Sequence, residues 1–254
     1  MPTSLAMPTE DPDAPQFHTL SIIIPVYNER KTVMQLLQQV ARQPVSLRKE
    51  LIIVDDCSTD GTREFLQQTN LEEVLGNNRT NTIKLVLHDK NQGKGAGVRT
   101  GLAQATGEIV LIQDADLEYD PGDYPAIVAP ILEGHADAVF GNRFHSGPHR
   151  VQRYYRFLLN RLFSIICNLL TGIAIHDVTA CYKAFRRELL EDMHLHSDRF
   201  SVETEMTVKV AKLGARIYEV PIVYHGRTYA EGKKISWHDG YKALYDLIRY
   251  RFKD

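Results

Sequence analysis

Four apolar runs, each closed by polar residues, constrain this chain more than any other feature. They lie in "HTLSIIIPVYNE", "KELIIVDDCSTDGTREFLQQ", "TIKLVLHDKNQGKGAGVRTGLAQA" and "GEIVLIQDAD". Unbroken apolarity marks strands buried on both faces, and the stretches between them repeat at helical spacing, as Val33, Leu36, Leu37 and Val40 do after the first run. Pro25 is expected to stop the first strand. Successive β-α units predict an α/β fold, Rossmann-like, with a mostly parallel sheet and helices on both faces. Ligands in such sheets bind beyond the carboxyl ends of the strands, where Tyr27, Glu29, Asp55, Asp56, Asp114 and Asp116 fall.

The fourth run ends in "IQDADLEYD". On a continued strand, Asp114, Asp116 and Glu118 would share a face about 6 to 7 Å apart. Carboxylates that close repel and need a compensating charge. Clustered hard oxygens suit Mg2+ or Mn2+, which keeps waters and takes its other ligands from a substrate phosphate, so Asp114, Asp116 and Glu118 are read as a metal set. The alternative is a solvated acidic turn. In "VDDCSTDGT", Asp56 is placed to accept hydrogen bonds from a base or ribose, whereas Asp60 reads as turn and helix-cap chemistry.

Other patterns are weaker. Gly95, Gly97 and Gly101 fail the dinucleotide fingerprint because position 100 is Thr and the segment follows the third strand. A phosphate-binding P-loop fails at His88, so these glycines are expected to serve close helix packing or a tight loop. His145, His149, His194, His196 and His225 form no HExxH arrangement. Glu203 and Glu205, if helical, face different directions, and only one can enter a cleft; Glu203 is a candidate general base.

With 254 residues, 43% of them hydrophobic, the chain can bury one large core, and its net charge of -2 gives no argument for nucleic acid. Three cysteines without CxxC spacing speak against disulfides and zinc and suit a reducing cytoplasm. Residues 1–17, rich in proline, are expected to form a disordered leader, not a signal peptide. Asn160, Arg161 and Asn168 interrupt the apolar stretch from Phe157 to Ile175, so no transmembrane helix is expected. From Arg143 to His176 there are five arginines and no acid, a composition for an anionic membrane surface or for a core helix with a basic face. In residues 240–254, Tyr241, Leu244, Tyr245, Ile248 and Phe252 repeat at helical spacing beside Lys242, Arg249, Arg251 and Lys253, which predicts a basic amphipathic C-terminal helix.

Taken in order, "IIIPVYNE", "IIVDDCSTDGT", "NQGKGAGVRTG", "DADLEYDP" and "GRTYAEGKK" resemble family 2 glycosyltransferases of the GT-A fold, above all dolichol-phosphate mannose synthases and polyprenyl-phosphate relatives. The resemblance implies a catalytic domain over residues 18–239. It assigns nucleotide-sugar contacts to Pro25, Tyr27, Glu29, Val54, Asp56, Asp114, Ala115, Asp116, Arg227 and Lys233. It assigns catalytic roles to Asp116, Arg143 and Arg227, and the acceptor phosphate to Arg143 and Lys183. Ala230 and Gly232 depart from the family's loop, and "DVTACYKAF" departs twice from its D-x-x-S-G-F-K/R segment.

The implied reaction is inverting transfer of mannose or glucose from GDP-mannose or UDP-glucose to a polyprenyl phosphate, with Mg2+ or Mn2+. The implied setting is peripheral, at the cytoplasmic face of a membrane, with a membrane partner protein among the expected partners. The alternatives are transfer to a hydroxyl acceptor, which needs a general base, and a nucleotide-sugar binding module without turnover.

Overall fold

The computed structural model describes residues 17–75, 81–144, 154–199, 201–227 and 237–253. The expected leader apart from Phe17, the histidines at 145 and 149, Arg150, Arg153 and the loop residues Ala230, Glu231, Gly232 and Lys233 lie outside the described residues. The elements are β1 (Thr19–Val26), α1 (Val33–Arg42), β2 (Arg48–Asp55), α2 (Thr62–Gln68), α3 (Leu71–Leu75), β3 (Asn81–Leu87), α4 (Lys94–Gln104), β4 (Ile109–Ile112), α5 (Tyr124–Leu132), β5 (Ala138–Asn142), α6 (Tyr154–Thr171), β6 (Lys183–Arg186), α7 (Arg187–Glu191), α8 (Val202–Lys212), β7 (Ile217–Pro221) and α9 (Trp237–Phe252).

Among the described residues, seven strands form one sheet in the order β3-β2-β1-β4-β6-β5-β7. The first four are parallel to one another, as repeated β-α units require, and β5 is parallel to β7. β6 runs antiparallel between β4 and β5. The sheet is buried from both sides: Ile22, Ile24, Leu51 and Ile53 join one apolar layer, while Ile23, Ile52, Val54 and Val110 join another. Two covered faces explain why these strands read as unbroken apolar runs rather than as alternation.

Pro25 does not stop β1. It pairs in register with Val54, and β1 continues to Val26. Gln113 N–H donates to the Ile23 carbonyl and Asp56 N–H to the Val26 carbonyl, so successive residues address opposite neighbours. Pro25 faces the β4 side, where β4 has already ended at Ile112, and its missing N–H removes no ladder bond.

The glycines of α4 serve close approach. A Cβ on Gly95 would collide with the Ser197 carbonyl, and one on Gly101 with the Ile23 side chain. Gly93, at φ +92°, turns the chain into α4 in a left-handed-side conformation that glycine tolerates.

Two helices are turned differently from a soluble amphipathic helix. Along α6 the inward side mixes apolar and polar residues: Cys167 is buried and Phe163, Ile166 and Leu170 pack against the core, while Asn168 exchanges hydrogen bonds with the Ile175 backbone, Ser164 is buried, and Asn160 donates to Thr179. Its exposed side carries Tyr154, Leu158, Leu159, Leu162, Ile165 and Leu169, the last 81% exposed. α9 begins at Trp237, slightly before the expected position 240, and buries Leu247 and Tyr250. Tyr245, Ile248 and Phe252, the stripe that spacing alone would turn inward, are exposed. Among the described residues, no helix is long and apolar enough to cross a membrane.

Candidate active site

From β1 the chain moves outward to β2 and β3, then returns to place β4 on the other side of β1. The loops after β1 and β4 therefore diverge, leaving the crevice in which ligands of open parallel sheets bind. The β1 loop is stitched to the β2 loop: Asn28, at φ +53°, donates its N–H to Ser58 Oγ at 2.9 Å and accepts from Thr59 N–H at 2.7 Å. Tyr27 is exposed, whereas Val54 and Ala115 are buried. The Ala115 carbonyl accepts from Thr32 Oγ1 at 3.0 Å.

The acids of "DADLE" do not share a strand face. β4 ends at Ile112, and a turn with Leu117 at φ +61° carries them onward. Their charges are met by two cations from distant parts of the chain. Arg227 donates from Nη1 and Nη2 to the two oxygens of Glu29 at 3.2 and 3.1 Å, and from Nη2 to Asp116 at 3.0 Å. The backbone N–H of Arg227 donates to Glu118 Oε1 at 2.6 Å, and Tyr224 OH donates to Glu118 Oε2 at 2.6 Å. Both oxygens of Glu118 are thus engaged. Burial, with the charges of Asp114 and Glu118 beside it, pushes the Asp116 carboxyl up to about 7 against the pull of Arg227.

Lys94 is the second cation. At the first turn of α4, its Nζ lies 2.5 Å from Asp114 Oδ1 and 2.7 Å from Glu203 Oε1. Burial opposes its charge, but Asp114 and Glu203 among its neighbours outweigh that and raise its pKa. Glu205, two residues along α8, turns the other way and accepts from the backbone N–H groups of His196 and Ser197. The expected divergence of the two glutamates is therefore present.

Asp56 is buried and anchors the loop before α4. Its oxygens accept from Gln92 N–H at 2.8 Å and Gly93 N–H at 2.7 Å, and His88 Nδ1 lies 2.8 Å away, with Nε2 2.9 Å from Thr100 Oγ1. Asp60 accepts from Thr62 and Arg30 backbone N–H groups, the turn chemistry expected of it.

A separate station forms past β5. Arg143 donates from Nε and Nη2 to the two oxygens of Asp177, each at 2.7 Å, and from Nη2 to Thr179 Oγ1 at 2.7 Å. Its guanidinium lies 5.0 Å from the centre of the Tyr224 ring, whose hydroxyl holds Glu118. Lys183, by contrast, has no exposed surface, and its ammonium donates to the Val178 and Ala180 carbonyls. It braces the loop that carries Asp177 instead of facing a ligand.

Sequence reasoning did not single out Lys94, Tyr224, Asn160 or the loop-anchoring role of His88. Lys94 carried a signal, a lysine at the helix start opposite the strand-end acids. Tyr224 carried none.

Among the described residues, no group of three His, Cys, Asp or Glu side chains is arranged as an ion cage. Asp114 and Asp116 nevertheless fit a hard divalent ion in chemistry, with two carboxylates at one strand end and a crowded negative charge. The sequence pattern of glycosyl transferase family 2 matches residues 21–193. One relative, undecaprenyl-phosphate 4-deoxy-4-formamido-L-arabinose transferase of Proteus mirabilis, is 27% identical over 236 residues, 92% of this chain and 68% of its own. Glycosyltransferase AglJ of Haloferax volcanii is 31% identical over 226 residues, 87% of this chain and 65% of its own. Glucosyl-3-phosphoglycerate synthase of Mycobacterium tuberculosis with UDP superposes at a TM-score of 0.68 with 20% identity, covering 92% of this chain and 80% of that one. The same enzyme with Mn2+, UDP-glucose and phosphoglyceric acid gives 0.67 at 21% identity, with the same coverages. The sheet is the GT-A fold, and the chain belongs to glycosyl transferase family 2 as a glycosyltransferase.

Proposed function

We propose that this glycosyltransferase moves mannose or glucose, with inversion, from a nucleotide-diphosphate sugar to a polyprenyl phosphate. One observation carries the reading. The ring of Tyr224 touches two charged stations at once, with its hydroxyl on Glu118 of the acid cluster and its face under Arg143. The first station suits a sugar diphosphate and the second a phosphate acceptor.

At the donor station, Asp114 and Asp116 would hold Mg2+ or Mn2+, which when bound supplies Lewis acidity toward the leaving diphosphate. Arg227 adds a fixed cation, and Tyr27, Glu29 and Asp56 border the place for the nucleotide; Lys233 is proposed to join them. At the acceptor station Arg143 meets the phosphate. A phosphate monoester has a second pKa of about 6 by analogy with phosphorylated side chains, so near neutral pH its oxygen is already anionic. No side chain need take a proton from it. The P. mirabilis relative, named for an undecaprenyl-phosphate acceptor, supports the acceptor class. The exposed apolar side of α6, flanked by Arg156 and Arg161, supports docking on the cytoplasmic surface of a membrane.

A second reading, transfer to a hydroxyl, is favoured by Glu203, which reaches the acid cluster through Lys94. It would act as general base. The deciding experiment compares Arg143→Ala with Glu203→Gln, both verified as folded, using undecaprenyl phosphate and radiolabelled GDP-mannose or UDP-glucose. Loss of most transfer in Arg143→Ala with much retained in Glu203→Gln supports the phosphate acceptor. The reverse pattern establishes the hydroxyl reading instead.

A further inference from the structure

The fork of Arg143 is already spent. A guanidinium has five N–H donors, and Nε and both hydrogens of Nη2 go to Asp177 and Thr179. Only Nη1 remains. A phosphate at Arg143 is therefore met through one nitrogen and not by a two-pronged fork.

The loop that takes the fork is held from three sides. Asn160 on α6 donates from Nδ2 to Thr179 Oγ1 at 2.6 Å and reaches Asp177 Oδ1 at 3.4 Å. Glu219 on β7 accepts from the backbone N–H groups of His176 and Asp177 at 2.9 and 3.2 Å. Lys183 holds the carbonyls of Val178 and Ala180 from below. Asp177 is completely buried, so its two oxygens cannot swing away from the arginine into solvent.

We infer that Thr179 and Asn160 are positioning residues for the acceptor: they fix the Arg143 guanidinium on Asp177 so that its Nη1 is presented, end-on, to the phosphate. The inference rests on the phosphate-acceptor reading of Arg143 and goes beyond it by assigning the set that aims the arginine. Without Thr179 Oγ1, one Nη2 hydrogen loses its acceptor and Asn160 keeps only its longer contact to Asp177. The guanidinium is then held along one edge by Asp177 alone, its Nη1 end gains freedom to tilt, and the phosphate meets a donor that must first be ordered. A donor sugar diphosphate, bound at the acid cluster, should not feel the change.

The test is calorimetric binding of citronellyl phosphate, a short-chain prenyl phosphate, to the full chain, with UDP and GDP binding measured in parallel. Thr179→Val and Asn160→Ala should each weaken citronellyl phosphate binding roughly three- to tenfold, the scale of one hydrogen bond. Thr179→Ser should bind as the unchanged protein does, and nucleotide binding should stay constant throughout. Unchanged citronellyl phosphate binding in both variants overturns the inference, as does a parallel fall in nucleotide affinity, which would mark a general structural role. Arg143→Ala separates the two levels. If it binds citronellyl phosphate normally, the acceptor reading itself fails; if it loses binding while the Thr179 and Asn160 variants keep it, only the positioning role fails.

Discussion

Asp116 shows how a site and its stability conflict. Its carboxyl is pushed up from 3.8 to about 7 by burial and by Asp114 and Glu118. Because the folded-state pKa exceeds the unfolded one, the folded protein keeps a proton that the unfolded chain releases, and stability falls as pH rises from about 4 to about 7. Asp116→Asn should therefore melt higher than the unchanged protein near pH 8, by about 2 to 4 °C per kcal/mol recovered. The same variant should lose Mn2+ binding in an EPR titration. In the unchanged protein, Mn2+ affinity should weaken as pH falls below about 7, because the ion must displace the proton. A flat affinity between about pH 6 and pH 8 would remove Asp116 from the ion site. Arg227 poses a geometric question, since its two terminal nitrogens bind Glu29 while one also binds Asp116. Arg227→Lys keeps the charge but not the fork, so donor KM should rise nearly as far as in Arg227→Ala, about tenfold or more, with melting temperature little changed.

Among the elements, α4 and α6 make opposite demands. α4 lies so close to β1 and to the loop before α8 that Gly101→Ala must displace Ile23, and Gly95→Ala must displace the Ser197 backbone. Each should cost about 1 to 3 kcal/mol in urea unfolding, the usual range for overpacking. α6 packs Phe163, Ile166, Cys167 and Leu170 against the core but leaves Leu158, Leu159, Leu162, Ile165 and Leu169 uncovered. Leu159→Glu combined with Leu162→Glu should abolish cosedimentation with phosphatidylglycerol vesicles while transfer to citronellyl phosphate is kept; retained cosedimentation would place the lipid contact elsewhere. These helices also mark the limit of periodicity as a guide. Spacing located α9, yet of the stripe it picks out Leu244 packs inward while Tyr245, Ile248 and Phe252 are exposed, because α9 packs chiefly with Leu247 and Tyr250. A helix that meets two different surroundings has no single apolar face to read.

Across the whole molecule, the parallel strands were legible because burial on both faces leaves unbroken apolar runs, and the strand-end acids were legible because sheet topology brings such ends together. β6 was not, since "KAFR" has only two apolar residues and its place between β4 and β5 depends on pairing partners far along the chain. Nor was the pairing of Arg227 with the acids: it meets Glu29 across 198 positions, and nothing local encodes that meeting. Distance along the chain also separates the two stations, which converge on Tyr224. A single ring in contact with both makes timing a property of the architecture. We expect a shift of Glu118 to reach the arginine through this ring only when both substrates are bound, so the two should bind as a correlated pair while a nucleotide alone binds independently of the acceptor station. Initial-rate patterns should show an apparent KM for each substrate that shifts with the concentration of the other. In Tyr224→Phe, which keeps the ring and cuts the hydroxyl, those lines should become independent. The enzyme would still turn over, but it would have lost its sense of order.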